Sequence, residues 1–176
     1  MNPAIAVSRI NHLLNQENPI FIMMVGVPGC GKSTFIRSLG QNIMVASTDD
    51  MIEERALQAG KTYSQIFDKV NHKYLKLDMI RNIKQAIIDR HHVALDRTNM
   101  SRKTRGEFIK LFPEHYTKVC LNFSIDDKVL RERLKTRAEA TGKVIPEFVL
   151  FNMLKSYNPP TKDEGFDIII EVDTSR

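Results

Sequence analysis

The sequence predicts an α/β fold, with a mostly parallel sheet of about five strands and helices on both faces. Three observations lead to it. Short apolar runs alternate with segments of helical periodicity along the chain. The first run, Ile20-Phe21-Ile22-Met23-Met24-Val25, is apolar at every position, as suits a strand covered on both sides. It closes at Gly26, and a glycine-rich segment then leads directly into a helical stretch.

Before that strand, residues 4–16 read as an amphipathic helix, with Ile5, Ile10, Leu13 and Leu14 near helical spacing; Asn18-Pro19 ends it. A helix at 32–39 and a strand at 43–47 follow the first strand. One long helix is expected from 62 to about 90. Thr62-Tyr63-Ser64-Gln65 has the capping-box form, and Ile66, Val70, Tyr74, Leu77, Ile80, Ile83 and Ile87 follow at steps of three and four. A short strand at 93–95 ends in Asp96, a helix opens near Ser101, and 116–123 reads as strand. Ser124-Ile125-Asp126-Asp127 caps a helix through the arginine-rich stretch 131–137. The polar segment 139–143 leads to Pro146, which suits the first turn of a helix at 147–156. Asn158-Pro159-Pro160 breaks the chain, and 166–172 is the last strand. With no repeat, low-complexity tract or linker, residues 1–176 are expected to form one domain, 1–18 being a helical extension and 19–172 the core.

Composition narrows the function classes. The 176 residues include 26 Lys and Arg against 21 Asp and Glu, a net charge of +5, which accommodates an anionic partner without requiring nucleic acid. A hydrophobic content of 42% argues against disorder. The longest apolar run, Ile20–Val25, is far short of the roughly 20 residues a membrane span needs. The start Met1-Asn2-Pro3 shows no secretion signal, so a cytoplasmic location is expected. Cys30 and Cys120 lie far apart with no zinc-finger spacing, and His91-His92 is expected to complement the end of the preceding helix.

Gly26-Val27-Pro28-Gly29-Cys30-Gly31-Lys32-Ser33 matches GxxxxGK followed by Ser, between a buried strand and a helix. Wrapping backbone N–H groups around phosphate needs conformations that glycine tolerates, and the helix that follows adds unpaired amides and its positive dipole end. Lys32 supplies a mobile charge for the β and γ phosphates and Ser33 a hydroxyl for Mg2+, so a nucleoside triphosphate such as ATP is the expected ligand. Cys30 reads as a small residue tolerated in the loop; the lesser alternative is a thiol acidified by the helix end.

In open α/β sheets, ligands gather at the carboxyl ends of the strands. Asp49 closes the second strand, beside Asp50, and is the candidate base for a hydroxyl acceptor; Asp96 closes the third and is placed to serve Mg2+. Helix N-caps are the competing reading, favoured for Asp50. Arg133 and Arg137 share one helix face before Thr141-Gly142-Lys143, where a lid over the nucleotide is expected; a solvated basic face is the alternative.

The loop in the form Gly-x-Pro-Gly-x-Gly-Lys-Ser-Thr, Ser-x-Asp-Asp at 47–50, Asp-x-Thr-Asn at 96–99 and the paired arginines resemble the 5′-kinase domain of the polynucleotide kinase family, phage-type and animal. Val144-Ile145-Pro146-Glu147, Met153, Tyr157, Pro160 and Glu164-Gly165-Phe166-Asp167 extend the resemblance to nearly the whole chain. It implies a P-loop kinase fold with an arginine-bearing lid at about 137–146. It also implies a catalytic set of Lys32, Asp49 and Arg137, with Gly26, Pro28, Gly29, Cys30, Gly31, Ser33, Thr34 and Arg133 on the nucleotide. Ser33 and Asp96 would serve the metal, while Asp96, Thr98, Asn99 and Val149 would join Asp49 around the acceptor. Where some members carry an arginine three residues after the base, this chain has Ile52. Arg55, Arg102 or Arg105 could replace it, and together with Arg97 they are the arginines left as candidates for an acceptor strand. The helix at 4–16 precedes the strand with which such domains usually begin, and a phosphatase or ligase partner is expected on a separate chain.

The expected activity is transfer of the ATP γ phosphate to a 5′-hydroxyl of DNA or RNA. A small hydroxyl compound, nucleoside or tRNA-borne group remains an alternative acceptor, and a non-catalytic RNA-binding module an alternative class.

Overall fold

The computed structural model describes residues 1–40 and 42–175. In chain order the elements are α1 (Pro3–Leu14), β1 (Ile20–Val25), α2 (Lys32–Arg37), β2 (Ile43–Ala46), α3 (Thr48–Gln58), α4 (Tyr63–Phe67) and α5 (His72–Ile88). They continue with β3 (His92–Leu95), α6 (Arg102–Ile109), β4 (Thr117–Ser124), α7 (Asp127–Thr141), α8 (Glu147–Lys155), a 3-10 turn at Lys162–Glu164 and β5 (Ile168–Asp173).

Successive side chains of a strand point to opposite faces, so a strand apolar throughout must feed two cores. β1 does this: Ile20, Ile22 and Met24 enter one core and Phe21, Met23 and Val25 the other. The first core is closed by Ala6 and Ile10 of α1, Phe35 of α2, Leu130 of α7 and Leu150 of α8. The second is closed by Met79, Ile83 and Ala86 of α5 and Phe108 of α6. Five strands run in the order β2-β3-β1-β4-β5, with every pairing parallel. The chain therefore leaves β1 toward both sheet edges, and the crevice this opens lies at the carboxyl end of β1, at the glycine-rich loop.

The expected helix at 62–90 is two helices. Its capping box is present, with Thr62 accepting from Gln65 N, but it caps only α4. A second cap, Asn71, accepts from Lys73 N and Tyr74 N and starts α5. Periodicity ran through the junction because both helices present apolar residues at similar spacing, while the local bond made by Asn71 decides the break. α3 was foreshadowed only by the N-cap reading of Asp50; the cap is Ser47, just after β2, which accepts from Asp50 N. His92 belongs to β3 rather than to a helix end, and its Nδ1 accepts from Ile20 N at 3.1 Å.

Arg105 is not on the surface. It is wholly buried on α6 against a Glu164 side chain 2% exposed, with Nε and Nη2 each donating to a Glu164 oxygen at 2.7 Å. Its Nη1 donates to the carbonyls of Asn99, Met100 and Asn158, at 3.2, 3.1 and 2.9 Å. Three chain segments thus meet on one guanidinium, whose planar fork suits this many acceptors. Removing one partner of such a pair strands the other charge, so Arg105→Met is expected to lower stability by about 3–5 kcal/mol in urea unfolding. Burial alone would raise the Glu164 carboxyl, but Arg105 and the Thr161 amide more than offset this and hold it below its ordinary 4.5. A depressed carboxylate stabilises the fold above the ordinary value, and that contribution is lost as pH falls through the folded one. Unfolding free energy should therefore drop below about pH 4.5, and drop less in Glu164→Gln.

Candidate active site

A cleft of about 1150 Å³ lies at the carboxyl edge of the sheet. Pockets for one small ligand usually measure roughly 300–1,000 Å³, so this one has room for a nucleotide and an acceptor. One wall is the glycine-rich loop with α2 and α7, the other the start of α3 with the turn after β3.

The loop takes its shape from two left-handed glycines, Gly29 at φ 84° and Gly31 at φ 98°. A Cβ at Gly29 would also fall 2.9 Å from Leu134 Cδ2 of α7. Lys32 is held close over the loop, with Nζ donating to the carbonyls of Gly26 and Val27 at 3.0 and 2.9 Å. Gly26 N donates to Thr98 O at 3.0 Å, stitching the loop to the turn after β3. Ser33 Oγ donates to Asp96 Oδ2 at 2.6 Å. These are hard oxygen donors of the kind Mg2+ takes, and a pair of them is consistent with an ion that fills its remaining positions with water and phosphate.

Across the cleft, Asp49 lies in the first turn of α3. Its Oδ2 accepts from Lys143 Nζ at 2.8 Å and its Oδ1 from Tyr63 OH at 3.1 Å. Lys143, 9% exposed, also reaches Glu53 at 3.3 Å and sits 3.8 Å from the centre of the Tyr63 ring. Burial would raise the Asp49 carboxyl, but Lys143, Tyr63 and Arg137 outweigh it and hold the group below the usual carboxylate value. Asp50 goes the other way, raised by burial and then by Asp96. Tyr63 is raised by burial and the Asp49 charge, so it stays a hydrogen-bond donor.

Of the residues expected on the nucleotide, Pro28, Gly29, Gly31, Lys32, Ser33 and Thr34 line the cleft. Arg133 and Arg137 line it too, and Arg133 Nη2 also donates to Thr174 O at 2.8 Å. Cys30 is buried beneath the loop; burial raises its thiol despite the nearby Lys32, which removes the acidified alternative. On the acceptor side Asp49, Asp96 and Thr98 reach the cleft. Asn99 does not: it is buried at φ 48°, and its amide donates to Met24 O at 2.7 Å. Arg102 faces away, paired with Asp163, and Arg55 lies 3.8 Å from Asp78. Val149 is half-buried on α8, outside the cleft lining. Lys143 was missed as a site residue because glycine and polar neighbours marked its segment only as a mobile connection. Thr174, whose hydroxyl donates to Cys30 O at 2.8 Å, carries no local signal at all.

A parallel α/β sheet with this loop at its switch point is the fold of the P-loop kinases. Residues 21–160 match the AAA_33 family, described as an AAA domain, and the chain belongs to that family. It is 25% identical over 170 residues to L-seryl-tRNA(Sec) kinase of Methanococcus maripaludis, covering 89% of this chain but 60% of that protein. In fold it resembles a chain of the Pnkp1/Rnl/Hen1 RNA repair complex, with TM-score 0.61, 23% identity and coverage of 81% and 45% of the two chains. It also resembles a gluconokinase from Sinorhizobium meliloti 1021, with TM-score 0.53, 20% identity and coverage of 92% and 86%. The chain thus spans less than two thirds of the first two proteins. Among the described residues, no helix is long and apolar enough to cross a membrane.

Two outcomes follow from this geometry. Replacing Lys143 by Met removes the main opponent of burial, so the Asp49 carboxyl should titrate at higher pH in a carbon-13 NMR titration. Cys30 and Cys120, both buried with raised thiols, should resist iodoacetamide in the native protein and react once it is unfolded.

Proposed function

We propose that the chain transfers the γ phosphate of ATP to the 5′-hydroxyl end of DNA or RNA. The observation that carries this reading is Asp49, an ionised carboxylate facing the Lys32–Ser33–Asp96 group across one cleft. Its ionised state is what a general base requires. In the proposed step, the acceptor oxygen bonds to the γ phosphorus, the bond from that phosphorus to the departing diphosphate oxygen breaks, and the hydroxyl proton passes to Asp49. Lys32 orients the phosphates, and Arg133 and Arg137, presented from α7, balance the charge that builds during transfer. Ser33 and Asp96 would hold Mg2+, which when bound neutralises phosphate charge. Residues 137–146 serve as the lid, and Lys143 fastens it to α3.

The ordered motifs from Gly26 to the Glu164-Gly165-Phe166 tail, and the net charge of +5, support a nucleic-acid acceptor. Phe148 and Phe151, exposed on α8 just after Lys143, offer flat apolar faces of the kind on which unpaired bases stack. A second reading, a hydroxyl carried on tRNA, is favoured by the similarity to L-seryl-tRNA(Sec) kinase.

The test is incubation with labelled ATP, Mg2+ and short 5′-hydroxyl DNA and RNA oligonucleotides. Label should appear at the 5′ end of at least one of them and vanish with EDTA; binding of ATP with neither end labelled would refute the reading. Asp49→Asn should keep nucleotide affinity and slow transfer by about 10²–10⁴-fold.

A further inference from the structure

Helix α1 and Thr174 both lie outside the family match at residues 21–160, yet both line the cleft. α1 does so with Pro3, Ala4 and Val7 of its first two turns. This wall is fixed along its length. Ala6 and Ile10 are fully buried in the core that also holds Phe35 of α2. Asn2 caps the helix, accepting from Ala4 N at 2.8 Å, and Asp173 N donates to Met1 O at 2.9 Å. The start of α1 is thereby tied to the carboxyl end of β5. Thr174, the next residue, donates from its hydroxyl to Cys30 O of the phosphate loop at 2.8 Å.

Sheet order separates the two ends of the cleft. Asp49 and Asp96 follow β2 and β3 on one side of β1, whereas Thr174 and the start of α1 stand at β5 on the other. The attacking and leaving oxygens of phosphoryl transfer lie roughly in line through the γ phosphorus. With the acceptor at Asp49 and the phosphates at the loop, the nucleoside extends away from Asp49, toward β5 and α1. The chemistry of that end suits an uncharged ring. The carboxylates that line the cleft, Asp49, Asp50, Glu53 and Asp96, belong to the β2–β3 side. On the β5 side the Thr174 hydroxyl is already spent on the loop, and α1 offers small apolar side chains on which a flat ring can lie.

We propose that α1 is the nucleobase wall of the donor site, and that Pro3, Ala4 and Val7 pack against the base of the bound nucleoside triphosphate. The assignment rests on the reading of the loop as a triphosphate site and of Asp49 as facing the acceptor, whichever hydroxyl that acceptor carries. The helix before β1 is then part of the ligand site as well as of the core.

The chain has no tryptophan, so Ala4→Trp introduces a single fluorescent reporter at an exposed position of the first turn. Saturating this variant with ATP and Mg2+ should quench its emission through contact with the base. Saturating inorganic tripolyphosphate, which has no base, should leave the emission unchanged. Ile88→Trp, exposed on α5 and outside the cleft lining, should respond to neither ligand. Val7→Gln puts a polar group on the wall and should weaken ATP about tenfold in calorimetry, the worth of roughly 50–60 Å² of apolar contact. Its affinity for tripolyphosphate should be unchanged, which together with thermal unfolding shows that the variant is folded. Bound ATP without a change in Ala4→Trp emission, or the same change with tripolyphosphate, would overturn the proposal. Equal loss of both ligands in folded Val7→Gln would do so too. Emission quenched by ATP alone, with no 5′ end labelled in the transfer assay, would refute the polynucleotide reading and leave the nucleobase wall standing.

Discussion

The cleft depends on a single buried guanidinium. Arg105 holds Glu164 with two of its nitrogens and three main-chain carbonyls with the third. Two of those carbonyls, of Asn99 and Met100, belong to the turn that carries Asp96, Arg97 and Thr98. The same turn is tied to the end of β1 through Asn99 to Met24, and to the phosphate loop through Thr98 to Gly26. A continuous chain of hydrogen bonds therefore runs from the turn before β5 to the glycine-rich loop. It sets the distance between the Asp96 carboxylate and the Ser33 hydroxyl. The left-handed backbone of Asn99, unusual for a side chain other than glycine, is accommodated because both its carbonyl and its amide are held.

Charge in the cleft is sorted by pairing as much as by position. Acidic groups cluster at the start of α3, and Lys143 bridges two of them with its ammonium over the Tyr63 ring. The result is one depressed carboxylate, Asp49, and one raised carboxylate, Asp50, in adjacent positions of the same helix. Burial acts on both carboxylates, and the pairing of Asp49 with Lys143 and Tyr63 sets their directions apart.

Most of the fold could be read along the chain. The phosphate loop, the five strands and Asp96 at the end of β3 follow from patterns a few residues long, and the structure has them, while Asp49 sits in the first turn of α3 rather than at the end of β2. What escaped were features whose cause is nonlocal or masked. The break between α4 and α5 hid inside a periodic stretch because apolar spacing cannot register the local competition made by Asn71. Arg102 and Arg105 look alike in sequence, yet one is a surface pair with Asp163 and the other the centre of a buried network. Ile52, where an arginine was the expectation, is 1% exposed, so on α3 that position belongs to the interior.

The sequence by itself determined that a buried parallel strand delivers a glycine-rich loop to a helix, and that a carboxylate comes within a few residues of the end of each of the next two strands. Those are local facts, set by alternation, turn chemistry and helix capping. Only the tertiary structure decided which charged side chains remain to meet a ligand. Lys143 turns inward to Asp49 and Arg105 to Glu164, and Arg97 lies over the Phe108 ring. The physical reason is that a charge is neutralised by whatever the fold brings within a few ångströms, and those partners lie 94 residues away for Lys143 and 59 for Arg105.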